Sequence, residues 1–200
     1  MTHTHFTDFV ENKSYTLDEY LAIEELAEQK HAFYNGQVVN VSNGIDHAHC
    51  IIAVNVMCQL AYPFDDKKRS DLCVLDSQMR YFIAEKQTVV YPDISIIKDK
   101  PQFFNNRDDV VQNPALVIEI TSESTELFDR TDKFELYATL PSFKEYVLVS
   151  QKQKHVEVRT YKDENVWEMR RYKNPTDRIS LKSINCEIVL DELYRGVIFK

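Results

Sequence analysis

Apolar side chains at positions 16–30 recur at nearly helical spacing, with Leu17, Tyr20, Leu21, Ile23 and Leu26 set among acids, and Thr16 followed three residues later by Glu19 gives a capping-box start. Positions 33–41 read as a short hairpin, with Asn35-Gly36 as its turn and Val38, Val39 and Val41 as strand formers. Positions 48–62 are apolar on nearly all sides and stop before Pro63, which predicts a well-buried second helix. After a charged loop over 65–71 the pattern turns to strands over 72–83, 88–98 and 115–121, and the connection 99–113 is long enough to be functional or mobile. A helix follows over 129–140, with Asp129 as N-cap, Phe134, Tyr137 and Ala138 inward, and Pro141 ending it. Segments 145–149, 155–161 and 166–172 read as an antiparallel meander, with Asp163-Glu164-Asn165 as one turn, and a strand or short helix closes the chain around 188–198. The expected fold class is α/β, in an α+β arrangement: a mixed central sheet, flanking helices and a C-terminal antiparallel extension.

Composition narrows the class of protein. With 200 residues, 44% of them hydrophobic, the chain can close one substantial core, and a single domain over 1–200 is expected. No apolar run approaches the roughly 20 residues of a membrane helix, and the polar start over 1–10 has no signal-peptide pattern, so a cytoplasmic location is expected. Cys50, Cys58, Cys73 and Cys186 form no CxxC pair and are expected as buried free thiols. The net charge of −8 argues against a general nucleic-acid coat protein, although Lys67-Lys68-Arg69 could make a local positive groove.

Two acids interrupt apolar strand patterns: Asp93 in Val89-Val90-Tyr91-Pro92-Asp93-Ile94-Ser95-Ile96-Ile97, and Glu119 in Leu116-Val117-Ile118-Glu119-Ile120. An ionised carboxylate taken from water costs several kcal/mol unless it is paired or metal-bound. If the two strands are neighbours, the carboxylates converge and, with backbone carbonyls and water, make a hard oxygen site suited to magnesium. Alternatively both acids lie at wet strand ends or pair with Lys and Arg. Lys133, in the first turns of the predicted helix, faces the positive end of its dipole, and helical spacing lines it up with Arg130 and Tyr137 beside the apolar stripe. An i, i+4 pair with Asp129 is the simpler account of that lysine.

Taken together, the chain resembles the Uma-type restriction endonucleases, a branch of the PD-(D/E)xK superfamily. The resemblance runs through Asn35-Gly36, His49 with Asn55, Ser77-Gln78-Met79-Arg80, Tyr91-Pro92-Asp93, positions 114–119 and 122–133, Tyr137, and Pro141-Ser142-Phe143-Lys144-Glu145-Tyr146-Val147-Leu148-Val149. It implies a restriction-endonuclease-like core in which Asp93 and Glu119 ligate a divalent metal, Mg2+ with Mn2+ as substitute, and Ile120 adds its backbone carbonyl. The strict motif has lysine where this chain has Thr121, and Lys133 is then the implied catalytic ammonium. The implied reaction is hydrolysis of DNA phosphodiesters, by a homodimer on the argument that two strands need two sites. Related sequences commonly carry a glutamate where this chain has Ala32, so Glu24, Glu25 or Glu28 would have to take its role, or activity would be reduced.

His49 is a further candidate at the start of the second helix, and His47 a weaker one. No glycine-rich phosphate loop, nucleophile elbow, HExxH or paired-cysteine pattern points to other chemistry. Two rivals stay open: a catalytically impaired member that binds nucleic acid or a protein, and a metal enzyme acting on a smaller phosphoester.

Overall fold

The computed structural model of the protein describes residues 13–41, 46–64, 72–163 and 166–199, with side chains left undescribed at 61–64. The capping box is present: Thr16 accepts from the Glu19 amide at 3.2 Å while the Glu19 carboxylate takes the Thr16 amide at 2.7 Å, opening helix α1 (Leu17–Leu26). The hairpin is present as well, β1 (His31–Tyr34) pairing with β2 (Gln37–Asn40). Its turn holds Asn35 and Gly36 at φ of 45° and 96°, the left-handed pair that two-residue hairpins need. A side chain at Gly36 would also meet Ser14 Oγ at 2.6 Å.

The strand region departs from expectation. The segment 72–83 is two strands, β3 (Leu72–Leu75) and β4 (Arg80–Ile83), separated by a turn in which Asp76 Oδ1 accepts from the Gln78 amide. The segment 88–98 is likewise two, β5 (Thr88–Val90) and β6 (Ile94–Lys98), broken at Tyr91-Pro92-Asp93, where proline supplies no amide to a ladder. The long connection over 99–113 contains one short strand, β7 (Val110–Val111), with both residues buried. Beyond it run β8 (Leu116–Thr121), β9 (Glu145–Ser150), β10 (Val156–Asp163) and β11 (Val166–Tyr172). The turn expected at Asp163-Glu164-Asn165 falls partly outside the described residues, as do Lys67-Lys68-Arg69 and positions 1–10.

These strands form two mixed sheets where one was expected. One has the order β2-β1-β5-β4-β7; the other, β11-β10-β9-β8-β6-β3, is the mixed sheet carrying Glu119, and among the described residues its one parallel pairing is β8 with β9. The C-terminal extension is a small antiparallel hairpin, β12 (Arg178–Leu181) with β13 (Cys186–Val189), followed by a turn of helix α5 (Leu190–Leu193); β12 was not expected. The fold is a mixed α+β architecture.

Alternation sorts the six-stranded sheet into two faces. Leu116, Ile118 and Ile120 pack with Val147 and Val149 against Ile52, Val56 and Leu60 of helix α2 (His47–Phe64) and against the terminal hairpin. Val117, Tyr146 and Leu148 face the other way, into a core shared with Tyr81, Ile83, Val90 and Val111 of the five-stranded sheet. The outer face of that second sheet takes Tyr20 and Leu21 of α1. Helix α2 is therefore buried on one side only: Val54 is 60% exposed. Cys50 and Cys58 are exposed beside it and Cys73 is half-buried, so only Cys186 is the buried thiol expected, and among the described residues no disulfide joins the four.

The helix expected over 129–140 is two, α3 (Glu126–Arg130) and α4 (Asp132–Ala138), broken at Thr131 with φ −118° and ψ −90°. Asp129 lies inside α3 and is not an N-cap. The break also splits the expected row, because Arg130 turns toward Glu157 while Lys133 turns toward Glu119.

Candidate active site

Register brings the two acids together. Ile94 of β6 pairs with Ile118 of β8, so the next antiparallel step sets Asp93 opposite Glu119, on the face that carries Val117 and Ser95. The Asp93 amide lies 3.3 Å from Glu119 Oε2, and Asp93 Oδ2 accepts the Ile120 amide at 2.7 Å. In an extended strand the amide and carbonyl of one residue face the same edge, so the Ile120 carbonyl is turned toward Asp93 too.

Lys133 reaches the pair from α4. Its Nζ is 2.8 Å from Glu119 Oε2 and 3.7 Å from Asp129 Oδ1. The i, i+4 contact with Asp129 exists, but Glu119 is the closer partner. Asp129 is the carboxylate that sequence reasoning missed as a site residue; it is buried, and its spacing from Lys133 was the available signal. His49, at the start of α2, sets Nε2 3.2 Å from Asp93 Oδ2, so it joins the group, whereas His47 is solvent-exposed. On another flank Lys30 donates to the Ser77 carbonyl at 2.6 Å and its charge acts on Asp93.

The candidates to replace the acid missing at Ala32 do not reach this group. Glu24 is committed to the His31 amide at 2.9 Å, the His31 ring at 2.8 Å and the Tyr91 hydroxyl at 2.7 Å. It thereby braces the residue two before Asp93. Glu25 pairs with Arg107, and Glu28 is exposed. Ala32 itself is buried, on the same side of β1 as Tyr34, whose surroundings include Lys133 and Asp129. Asn55, part of the family resemblance, is structural: its amide donates to the Leu193 and Arg195 carbonyls.

The electrostatics are unbalanced. Burial raises the Glu119 carboxyl well above its ordinary range, with Asp93 and Asp129 adding to the rise and Lys133 opposing it. Burial also raises Asp129. For Asp93 burial is outweighed by the His49 hydrogen bond, the Lys133 charge and the Ile120 amide, which hold its carboxyl low. Burial works against the Lys133 ammonium, but Glu119, Asp129 and Asp93 together keep it charged. Three carboxylates thus share one central ammonium. Among the described residues Glu119 Oε1 is buried without a hydrogen-bond partner, and so is the Tyr137 hydroxyl on the same face.

Do these residues fit a divalent metal? Among the described residues no three His, Cys, Asp or Glu side chains are disposed to hold one, because Lys133 stands between Glu119 and Asp129. The donors are instead an unpartnered Glu119 oxygen, Asp93 beside it and a backbone carbonyl turned to the same edge. One or two carboxylates completed by water and substrate phosphate is the usual magnesium set, and an excess of buried negative charge is what a dication offsets. The residues fit.

Comparison with known proteins agrees with the architecture. Residues 17–191 match the family model Uma2, described as "Putative restriction endonuclease". The uncharacterized protein slr1290 of Synechocystis is 31% identical over 182 residues, covering 91% of this chain and 92% of its own. A second Synechocystis protein, the uncharacterized sll1609, is 34% identical over 139 residues, 70% of this chain and 76% of its own. Among solved structures, a protein from Anabaena variabilis described as a putative nuclease of DUF820 superposes with a TM-score of 0.73 at 16% identity, over 92% of this chain and 99% of that one, and so shares its fold. With the family model spanning nearly the whole chain and relatives aligned along most of it, this protein belongs to the Uma2 family.

Proposed function

We propose that the protein is a divalent-metal-dependent endonuclease that hydrolyses DNA phosphodiesters at the site formed by Asp93, Glu119 and Lys133. The observation that carries this reading is the buried Oε1 of Glu119 beside Asp93, which has no hydrogen-bond partner among the described residues. Asp93, Glu119 and the Ile120 carbonyl would hold the ion, with Mg2+ as the resident metal and Mn2+ as a substitute. When bound, such an ion lowers the pKa of water and withdraws charge from phosphate oxygen.

The chain's own groups supply the rest. His49 and the Ile120 amide fix the orientation of Asp93, and Lys133 from α4 holds the buried Glu119 carboxyl. Lys133 holds its proton and places positive charge where the phosphoryl oxygens become more negative in the transition state. Its short reach from α4 keeps that charge in place before substrate arrives.

The test is cleavage of supercoiled plasmid with and without magnesium. Asp93→Asn and Lys133→Met are each expected to lower the rate by about 10²-fold or more. Undiminished cutting by Asp93→Asn would end the assignment. A second reading, a nuclease fold that binds without cutting, is favoured by Ala32, which leaves β1 with no carboxylate facing the site. A binder of that kind holds DNA equally well in chelator, and no magnesium concentration nicks the plasmid.

A further inference from the structure

Away from the carboxylates, three guanidiniums converge on one buried acid. Glu157 is 1% exposed. Its Oε1 accepts from Arg159 Nε at 3.0 Å and Nη2 at 2.9 Å, and its Oε2 from Arg130 Nη1 and Arg171 Nε, each at 3.1 Å. One arginine would satisfy a buried carboxylate. Three, in a chain of net charge −8, concentrate positive charge against mutual repulsion, and Glu126 offsets only part of it through Arg130. Lys173, exposed and two residues beyond Arg171 at the end of β11, lies nearby; burial first, then Lys173, Arg130 and Arg171, push the neighbouring His155 imidazole down.

The cluster is rigid at its base and open at its rim. Arg159 lies over the Phe134 ring at 4.6 Å and donates to the Arg130 carbonyl at 2.8 Å, so it is a fixed support. Arg171 is different: its side chain is 59% exposed, only Nε is engaged, and its two terminal nitrogens make no hydrogen bond among the described residues. A planar fork already oriented by one carboxylate loses little freedom when it grips a phosphate.

Its position ties it to the carboxylate site. Glu119, Leu148, Glu157 and Arg171 are successive partners across β8, β9, β10 and β11, so they form one row on one face of the sheet. At a strand spacing of about 4.8 Å, Glu157 lies about 10 Å and Arg171 about 14 Å from Glu119. Because the phosphates of one strand wind round the duplex and lie farther apart than its axial rise, that span takes in only a few of them.

We infer that Arg171 and Lys173, on the platform that Glu157, Arg130 and Arg159 provide, grip the sugar-phosphate backbone of the DNA strand a few nucleotides from the bond held at Glu119. The inference rests on the nuclease reading and adds to it a binding surface that carries affinity without sequence preference.

Binding of a fluorescent duplex is measured by anisotropy across a salt series, in chelator so that cutting cannot deplete it. The double variant Arg171→Gln, Lys173→Gln is expected to bind more weakly on every duplex sequence. Its slope of log K against log salt is expected to fall by about two, near 0.9 for each phosphate no longer neutralised. Arg171→Lys should keep most of the slope, and Lys86→Gln, in the turn between β4 and β5, all of it; matching melting curves establish that each variant is folded. An unchanged slope in the double variant overturns the inference, as does a polyglutamate peptide held as tightly as the duplex. If the native protein then still nicks plasmid with magnesium, only this surface is lost; if it neither binds nor nicks, the nuclease reading falls with it.

Discussion

At the scale of single residues, Glu119 is placed at a cost to stability. Its folded carboxyl titrates above the ordinary glutamate value of 4.5 because burial and two neighbouring carboxylates disfavour its charge. At this group the folded state therefore binds more protons than the unfolded chain between those two values, so the contribution of Glu119 to metal-free stability is full below 4.5 and is lost as pH rises toward the folded value. Glu119→Gln is expected to remove that decline and to raise the melting temperature near neutral pH by about 2–4 °C for each kcal/mol relieved, while abolishing cleavage. Melting curves in chelator between about pH 5 and 8 check this, and a lower melting temperature for the variant at every pH refutes it. Asp93 and Glu119 were legible beforehand because an acid in an apolar strand is physically expensive. Asp129 was not, since an acid before a helical run reads equally well as a cap, and only the backbone at Thr131 turns it inward.

At the scale of elements, another buried acid fastens the terminal hairpin. Glu145, fully buried on β9, accepts from Thr160 Oγ1 at 2.9 Å, the Lys182 and Ser183 amides at 3.1 Å each, and Ser183 Oγ at 2.8 Å. Glu145→Ala strands those donors beneath β12 and β13, and the expected loss is about 2–4 kcal/mol. A lower urea midpoint and new proteolysis near Lys182 are the expected signs, and an unchanged midpoint would count against the role. The helices and hairpins that depend on neighbouring residues, such as α1 with its capping box, could be read from the chain alone. The division of strands between two sheets could not, because it depends on which distant partner each strand meets. Pro92 was the local hint that the run 88–98 does not continue as one strand. The arginine cluster was hidden for the same reason: Arg171 meets Glu157 through the pairing of β10 with β11, and Arg130 reaches it from α3.

For the whole molecule, the two sheets share one core, in which Tyr81 and Val90 from one meet Val117 and Tyr146 from the other. Unfolding in chelator is accordingly expected as one cooperative transition. Magnesium at about 100 times its dissociation constant should add about 2.7 kcal/mol to the stability of the native protein and nothing to that of Asp93→Asn. Calorimetry with and without the ion decides the matter, and an equal gain in both proteins would place the ion elsewhere. No helix among the described residues is long and apolar enough to cross a membrane.

The tripeptide Tyr91-Pro92-Asp93 is where the backbone leaves the five-stranded sheet and enters the six-stranded one. Its first residue is anchored by Glu24 from α1, and its last faces Glu119. Sliding of one layer past the other would thus pull directly on the Asp93 carboxylate, so mechanical coupling between the two halves of the molecule and the spacing of the buried acids are a single property.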